Sequence, residues 1–129
     1  MNIGEISKRS ELPTKTVRYY ADVGLVKPTG RTDSGYRTYD DKALRKLIFV
    51  RRSRAMGFSI EDCRKLLDLF EDQTRASSEV REIAKQRLNE VNNKLAELQT
   101  LKKELSMLVH SCNGDDRPDC PILEALDRG

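Results

Sequence analysis

Apolar residues return every three or four positions through much of the second half of the chain: Ala84, Leu88, Val91, Leu95, Leu98, Leu101, Leu105 and Leu108. Charged and amide side chains fill most of the intervals, and no Pro or Gly interrupts the run. The spacing predicts one amphipathic helix over 78–110 with a heptad seam, broken by a stammer near Leu98. At 1.5 Å per residue such a helix is roughly 50 Å long. A chain this small cannot cover that seam by itself. The economical partner is a second copy in a two-fold homodimer.

The first half reads as shorter elements. Ile3 and Ile6 give a short helix over 3–9, and Leu12-Pro13-Thr14 breaks it. Thr14 is placed to cap a second helix over 15–23, which Gly24 ends. The period then changes. Leu25-Val26-Lys27-Pro28 reads as extended, Asp33-Ser34-Gly35 as a turn, and Tyr36-Arg37-Thr38-Tyr39 alternates as a short strand does. Asp40 caps a further helix marked by Leu44, Leu47 and Ile48, and Gly57 closes it. Ser59 caps another, with Ile60, Cys63, Leu67 and Phe70 on one stripe. The pattern predicts a mainly α fold. Its parts are a first domain over 1–70, a polar joint over 71–77, the dimerisation helix over 78–110, and a loop with a short helix over 111–129.

Charge divides the chain in the same way. Residues 1–65 hold 15 Lys/Arg against 8 Asp/Glu, and residues 66–129 hold 9 against 13. A basic first half attracts phosphate, and an acidic second half serves something else. No apolar run is long enough to span a bilayer, and no signal-peptide pattern opens the chain. The expected location is the cytoplasm, where the three cysteines stay reduced. No paired acid and base, no nucleophile–base set and no phosphate loop point to an enzyme.

Two short helices joined by a tight turn and followed by a small hairpin fit a winged helix-turn-helix, so the basic residues 1–70 read as a DNA-binding domain. The second helix carries Lys15, Thr16, Arg18, Tyr19 and Tyr20 within about two turns. Arg18 suits guanine edges or phosphates; Lys15, Thr16 and Tyr20 suit phosphates. One of the two tyrosines is expected in the core. Arg31, Tyr36 and Arg37 on the wing are further candidates for backbone contacts. A solvated helix face and a plain connecting hairpin are the competing readings. Cys63 lies on a buried stripe and is read as a core thiol.

The remaining chemistry is Cys112-Asn113-Gly114-Asp115-Asp116-Arg117-Pro118-Asp119-Cys120-Pro121. Two thiols flank a turn-rich loop, and the single histidine, His110, is two residues upstream. The spacing leaves three readings open: a two-thiolate site for a soft ion, a disulfide, or idle thiols. Two sulfurs suit a soft monovalent ion better than zinc, which normally takes four N or S ligands. Pro121 fits the first position of the final helix, which makes Cys120 its capping residue. The positive end of the helix dipole then favours thiolate there.

Several of these stretches resemble the MerR family of bacterial transcription regulators. They are Ile3-Gly4-Glu5-Ile6, Val17-Arg18-Tyr19-Tyr20, Gly24-Leu25-Val26, Gly35-Tyr36-Arg37-Thr38-Tyr39 and Met56-Gly57-Phe58-Ser59. The resemblance implies a winged helix-turn-helix with an antiparallel coiled-coil dimerisation helix. It also implies a dimeric activator that distorts promoter DNA on effector binding, and so acts on RNA polymerase indirectly. By the same similarity, Lys15, Arg18, Tyr20, Arg31, Tyr36, Arg37 and Arg54 form the DNA-contacting set. The loop with Cys112 and Cys120 looks like that of copper-efflux regulators of the CueR and HmrR type. Mercury- and zinc-responsive members carry a third cysteine where this chain has Ser77, and the iron–sulfur branch needs a four-cysteine cluster. The implied effector is therefore Cu(I), with Ag(I) or Au(I) as substitutes, held by Cys112 and Cys120 with Ser77 nearby. The competing functions are a redox regulator using a Cys112–Cys120 disulfide and a copper-buffering protein without DNA.

Overall fold

The computed structural model describes residues 1–129. Asn2 opens helix α1 (Ile3–Ser10): its side-chain oxygen accepts the Glu5 N–H at 2.8 Å. Glu11 ends α1 in the left-handed region, φ 60°, and sends its N–H back to Lys8 and Ser7 carbonyls. Helix α2 spans Thr14–Asp22. Thr14 is not its cap, as the sequence suggested, but its first helical residue. Pro13 holds the capping position without a side-chain bond, and its carbonyl accepts the N–H groups of Thr16 and Val17. The fixed φ of proline sets the turn that a capping hydroxyl would otherwise set.

Gly24 follows α2 at φ 72°, a conformation that favours glycine. The chain turns back there, so that the Leu25 and Val26 N–H groups both reach the Tyr20 carbonyl, at 2.9 and 3.1 Å. The hairpin is smaller than its sequence pattern. Strand β1 is Gly30–Arg31 and strand β2 is Arg37–Thr38, antiparallel, with Gly30 opposite Thr38 and Arg31 opposite Arg37. Leu25 and Val26 are not its first arm; they are buried in the core.

Asp40 caps α3 (Asp41–Ala55) by accepting the Ala43 N–H at 2.8 Å. Ser59 caps α4 (Ile60–Glu71) by accepting from Asp62 at 3.1 Å. Both caps match the sequence reading. α1 packs on α2 and α3, and α3 on α4. Ile6, Val17, Val26, Tyr39, Leu47, Val50 and Cys63 are sealed between them. Full burial of each such aliphatic side chain contributes about 1.5–3 kcal/mol.

The chain divides into two compact units, Met1–Ala84 and Lys85–Gly129. The boundary falls inside helix α5 (Ser77–Ser111), whose Ile83 packs against the core of the first unit. α5 is 35 residues long, two longer than the spacing predicted, and buries none of them. Its seam residues Leu88, Val91, Leu95, Leu98, Leu101 and Leu105 are 42–57% exposed. The second unit ends in α6 (Pro121–Asp127), with Pro121 at its first turn and Cys120 at the cap. No helix is long and apolar enough to cross a membrane.

Candidate DNA-binding face and thiol pair

α2 and the hairpin share one open cleft of about 690 Å³. Arg18 reaches it from α2; Arg31, Tyr36 and Arg37 reach it from the hairpin. Four of the expected contact residues are thus gathered on one surface. Tyr36 is 73% exposed. Arg31 donates from Nη1 to the Gly35 carbonyl at 3.0 Å, which holds its side chain across the hairpin turn. Arg37 is held by Asp22 at 3.2 Å. Sequence reasoning missed Asp22. Its signal was present, since it lies four residues after Arg18 and therefore on the same helix face.

The other expected contacts lie outside the cleft. Lys15 is exposed and Thr16 half-buried on the first turn of α2. Arg54, near the end of α3, is exposed and donates to the Phe58 carbonyl at 2.7 Å. Tyr20 departs most from expectation. Its ring belongs to the core, at 5% exposed, while Tyr19 beside it is 49% exposed. Tyr20 therefore leaves the exposed set, and the core tyrosine of the pair is identified. Burial pushes the Tyr20 phenol up from its ordinary pKa, against the opposing pull of the Arg54 guanidinium.

Cys63 is fully buried, and burial likewise raises its pKa, so the thiol stays protonated and packs as an apolar group. Cys112 and Cys120 differ. Both are free and half-buried, and their sulfurs lie 4.0 Å apart. Cys112 directly follows α5, and its N–H still bonds the Leu108 carbonyl at 3.1 Å. The loop turns at Gly114, φ 63°. Asp115 is occupied within the loop: it takes the Arg117 guanidinium at 2.9 and 3.0 Å and the Arg117 N–H at 3.0 Å. Those bonds to Arg117 hold the Asp115 carboxyl below the usual range.

No side-chain capping bond closes at Cys120. Its pKa is nevertheless lowered, chiefly by the Leu123 backbone N–H, then by the Ile122 N–H and the Cys112 thiol, against desolvation and Glu124. Amides at the start of α6 thus favour a sulfur anion. No group of three or more His, Cys, Asp or Glu side chains is arranged to hold an ion within the chain. The donor set at the loop is two soft sulfurs, one of them biased toward thiolate. That set fits a thiophilic ion of low coordination number and lacks the four ligands usual for structural zinc. Ser77, the first residue of α5, is exposed.

A winged helix-turn-helix with a basic cleft, joined to a long helix and a cysteine loop, defines a class: DNA-binding transcription regulators. Residues 1–69 match the family described as "MerR HTH family regulatory protein", and residues 44–108 match "MerR, DNA binding". The chain is 55% identical over 129 residues to the transcriptional regulator HmrR of Rhizobium leguminosarum bv. viciae, covering 100% of this chain and 99% of that protein. It is 40% identical over 126 residues to CueR of Salmonella typhimurium, covering 98% and 91%. Among solved structures, the transcription regulator PbrR691 from Ralstonia metallidurans CH34 in complex with lead(II) superposes with a TM-score of 0.82. It is 33% identical, over 98% of each chain. The chain belongs to the MerR family.

Proposed function

We propose that this chain is a Cu(I)-responsive transcriptional activator of the cytoplasm that binds promoter DNA as a homodimer and switches on copper-efflux genes. Ag(I) or Au(I) would substitute for the ion. The observation that carries the reading is the thiol pair, with Cys112 and Cys120 sulfurs 4.0 Å apart and no third ligand gathered beside them. Similarity to a regulator solved with lead(II) supports a metal effector. The two-sulfur donor set supports a soft singly charged one.

Each part of the chain has a role in this reading. Cys120 supplies the thiolate that the α6 amides favour, and Cys112 supplies the second sulfur. Ser77 from the second copy stands near the pair and withholds the third thiol that a divalent ion would use. A bound ion would tie the two sulfurs and fix the loop between them. α5 pairs with its copy along the exposed seam. Arg18 reads base edges or phosphates, while Lys15, Thr16, Arg31, Tyr36, Arg37 and Arg54 engage the backbone. Free and loaded forms both hold DNA, so the effector acts through its differential affinity for two arrangements of the dimer. One arrangement bends and undertwists the duplex, and RNA polymerase then uses both promoter elements.

The test is an anaerobic titration with Cu(I) and with Zn(II), read as transcription from the promoter upstream of the chain's own gene. Cu(I) should switch transcription on, and Zn(II) should not. Cys112→Ser and Cys120→Ser should bind the promoter and stay silent with copper. Normal copper-induced transcription from either variant overturns the assignment.

A further inference from the structure

We propose that Arg64 is a positioning residue for DNA recognition: from α4 it grips the C-terminal end of α2 and so sets the pose in which α2 meets a duplex. The inference rests on the reading of α2 as the recognition helix.

Arg64 donates from Nη1 to the Gly24 carbonyl and from Nη2 to the Val23 carbonyl, each at 3.0 Å. The two bonds cross 40 and 41 residues of sequence. Both acceptors sit in the turn that ends α2. Helix ends leave carbonyls without partners and carry partial negative charge. α2 has no basic residue in its own last turn, so the compensating cation comes from another element. The planar guanidinium fork can take two adjacent carbonyls at once, which an ammonium cannot do with fixed geometry. The Glu61 carboxylate, one turn earlier on α4, lies 3.6 Å from the Arg64 Nε.

The packing makes this grip consequential. α2 rests on α1, and α4 rests on α3. Arg64 ties α4 directly to the end of α2. It does not line the cleft that holds Arg18, Arg31 and Tyr36. Its effect on DNA therefore passes through the orientation of α2, without a phosphate contact of its own.

The experiment uses the full chain, a duplex from the region upstream of its gene and a scrambled duplex of equal length, across a salt series. Arg64→Met should weaken promoter binding about tenfold, the size of one charge-assisted hydrogen bond, while binding to the scrambled duplex stays as in wild type. Its salt slope should also be unchanged, whereas Arg18→Ala, which removes a charge facing the DNA, should flatten the slope by about one. Arg64→Lys should recover part of the loss. It also supplies the comparison if circular dichroism shows Arg64→Met unfolded at the assay temperature.

Three outcomes overturn the proposal alone: undiminished promoter selectivity in both Arg64 variants, a salt slope flattened by about one in either, or equal proportional losses on both duplexes. A wild-type chain that does not prefer the promoter duplex overturns the reading of α2 and the proposal with it.

Discussion

The Cys112 and Cys120 sulfurs face each other at 4.0 Å across a seven-residue loop. That is about twice a disulfide bond of about 2.0 Å. Cys120 is the sulfur that the first amides of α6 favour as an anion. A lowered pKa means that thiolate is present at a pH where an ordinary thiol is still protonated. Alkylation of Cys120 by iodoacetamide, followed by mass spectrometry, should therefore reach half its plateau rate at a lower pH in the folded chain than in the urea-unfolded chain. A midpoint at or above that of the unfolded chain would remove the amide argument.

Ser77→Cys should widen the metal response. A third sulfur contributed from the second copy would give Zn(II) or Pb(II) the extra ligand that two cysteines withhold. Transcription titrated with each ion should show a divalent response absent from wild type. An unchanged ion profile would place Ser77 away from the thiol pair.

Leu98→Glu should break the dimer. Leu95, Leu98, Leu101 and Leu105 are 49–53% exposed along one face of α5. Burying each remaining half contributes about 1 kcal/mol, and a seam charge removes that and adds desolvation. Analytical ultracentrifugation should find monomer at concentrations where wild type is dimeric. The same sedimentation coefficient for both would exclude this seam as the interface.

Acid should weaken the first unit through Asp40. Its carboxylate caps α3, and the Ala43 N–H first, then the Thr29 hydroxyl, hold its pKa below the ordinary value. A depressed folded-state pKa gives stability that is present above the unfolded value, near 3.9, and is lost as pH falls through the folded one. Asp40→Asn keeps a capping oxygen but carries no charge. Its urea midpoint should depend less on pH than wild type does in the range below about 4. Parallel acid limbs would assign the loss to other carboxylates.

The two tyrosines of α2 should separate cleanly. Tyr20→Ala empties a core position and should destabilise by about 3–5 kcal/mol, the range for large aromatic truncations. Tyr19→Ala touches an exposed ring and should stay within about 0.5 kcal/mol in a denaturant melt. Equal losses would mean that both rings carry the core.

Much of this was legible in the sequence because local rules fix it. The Asp40 and Ser59 caps, the Gly24 turn and the α5 period each depend on residues a few positions apart. The Tyr19 and Tyr20 assignment does not. Neighbours on a helix point about 100° apart, and only the packing of α2 on its surroundings decides which ring is sealed. Thr14 misled because proline before it supplies the turn in another way. The grip of Arg64 on Val23 and Gly24 spans some forty residues and leaves no periodic trace. At the thiol pair, the residue types and their offset were readable. The 4.0 Å approach of the sulfurs needed the path of the loop through Gly114 and the Asp115–Arg117 bonds.

In the proposed homodimer, an α5 whose seam stays about half exposed within its own chain would tie the order of that seam to how many copies the cell makes. Association of two chains scales with the square of their abundance, so dilution loosens the seam before it touches the first unit. Gene dosage would then be a second input beside the proposed ion: halving synthesis would lower the concentration of dimer by more than half wherever pairing is incomplete.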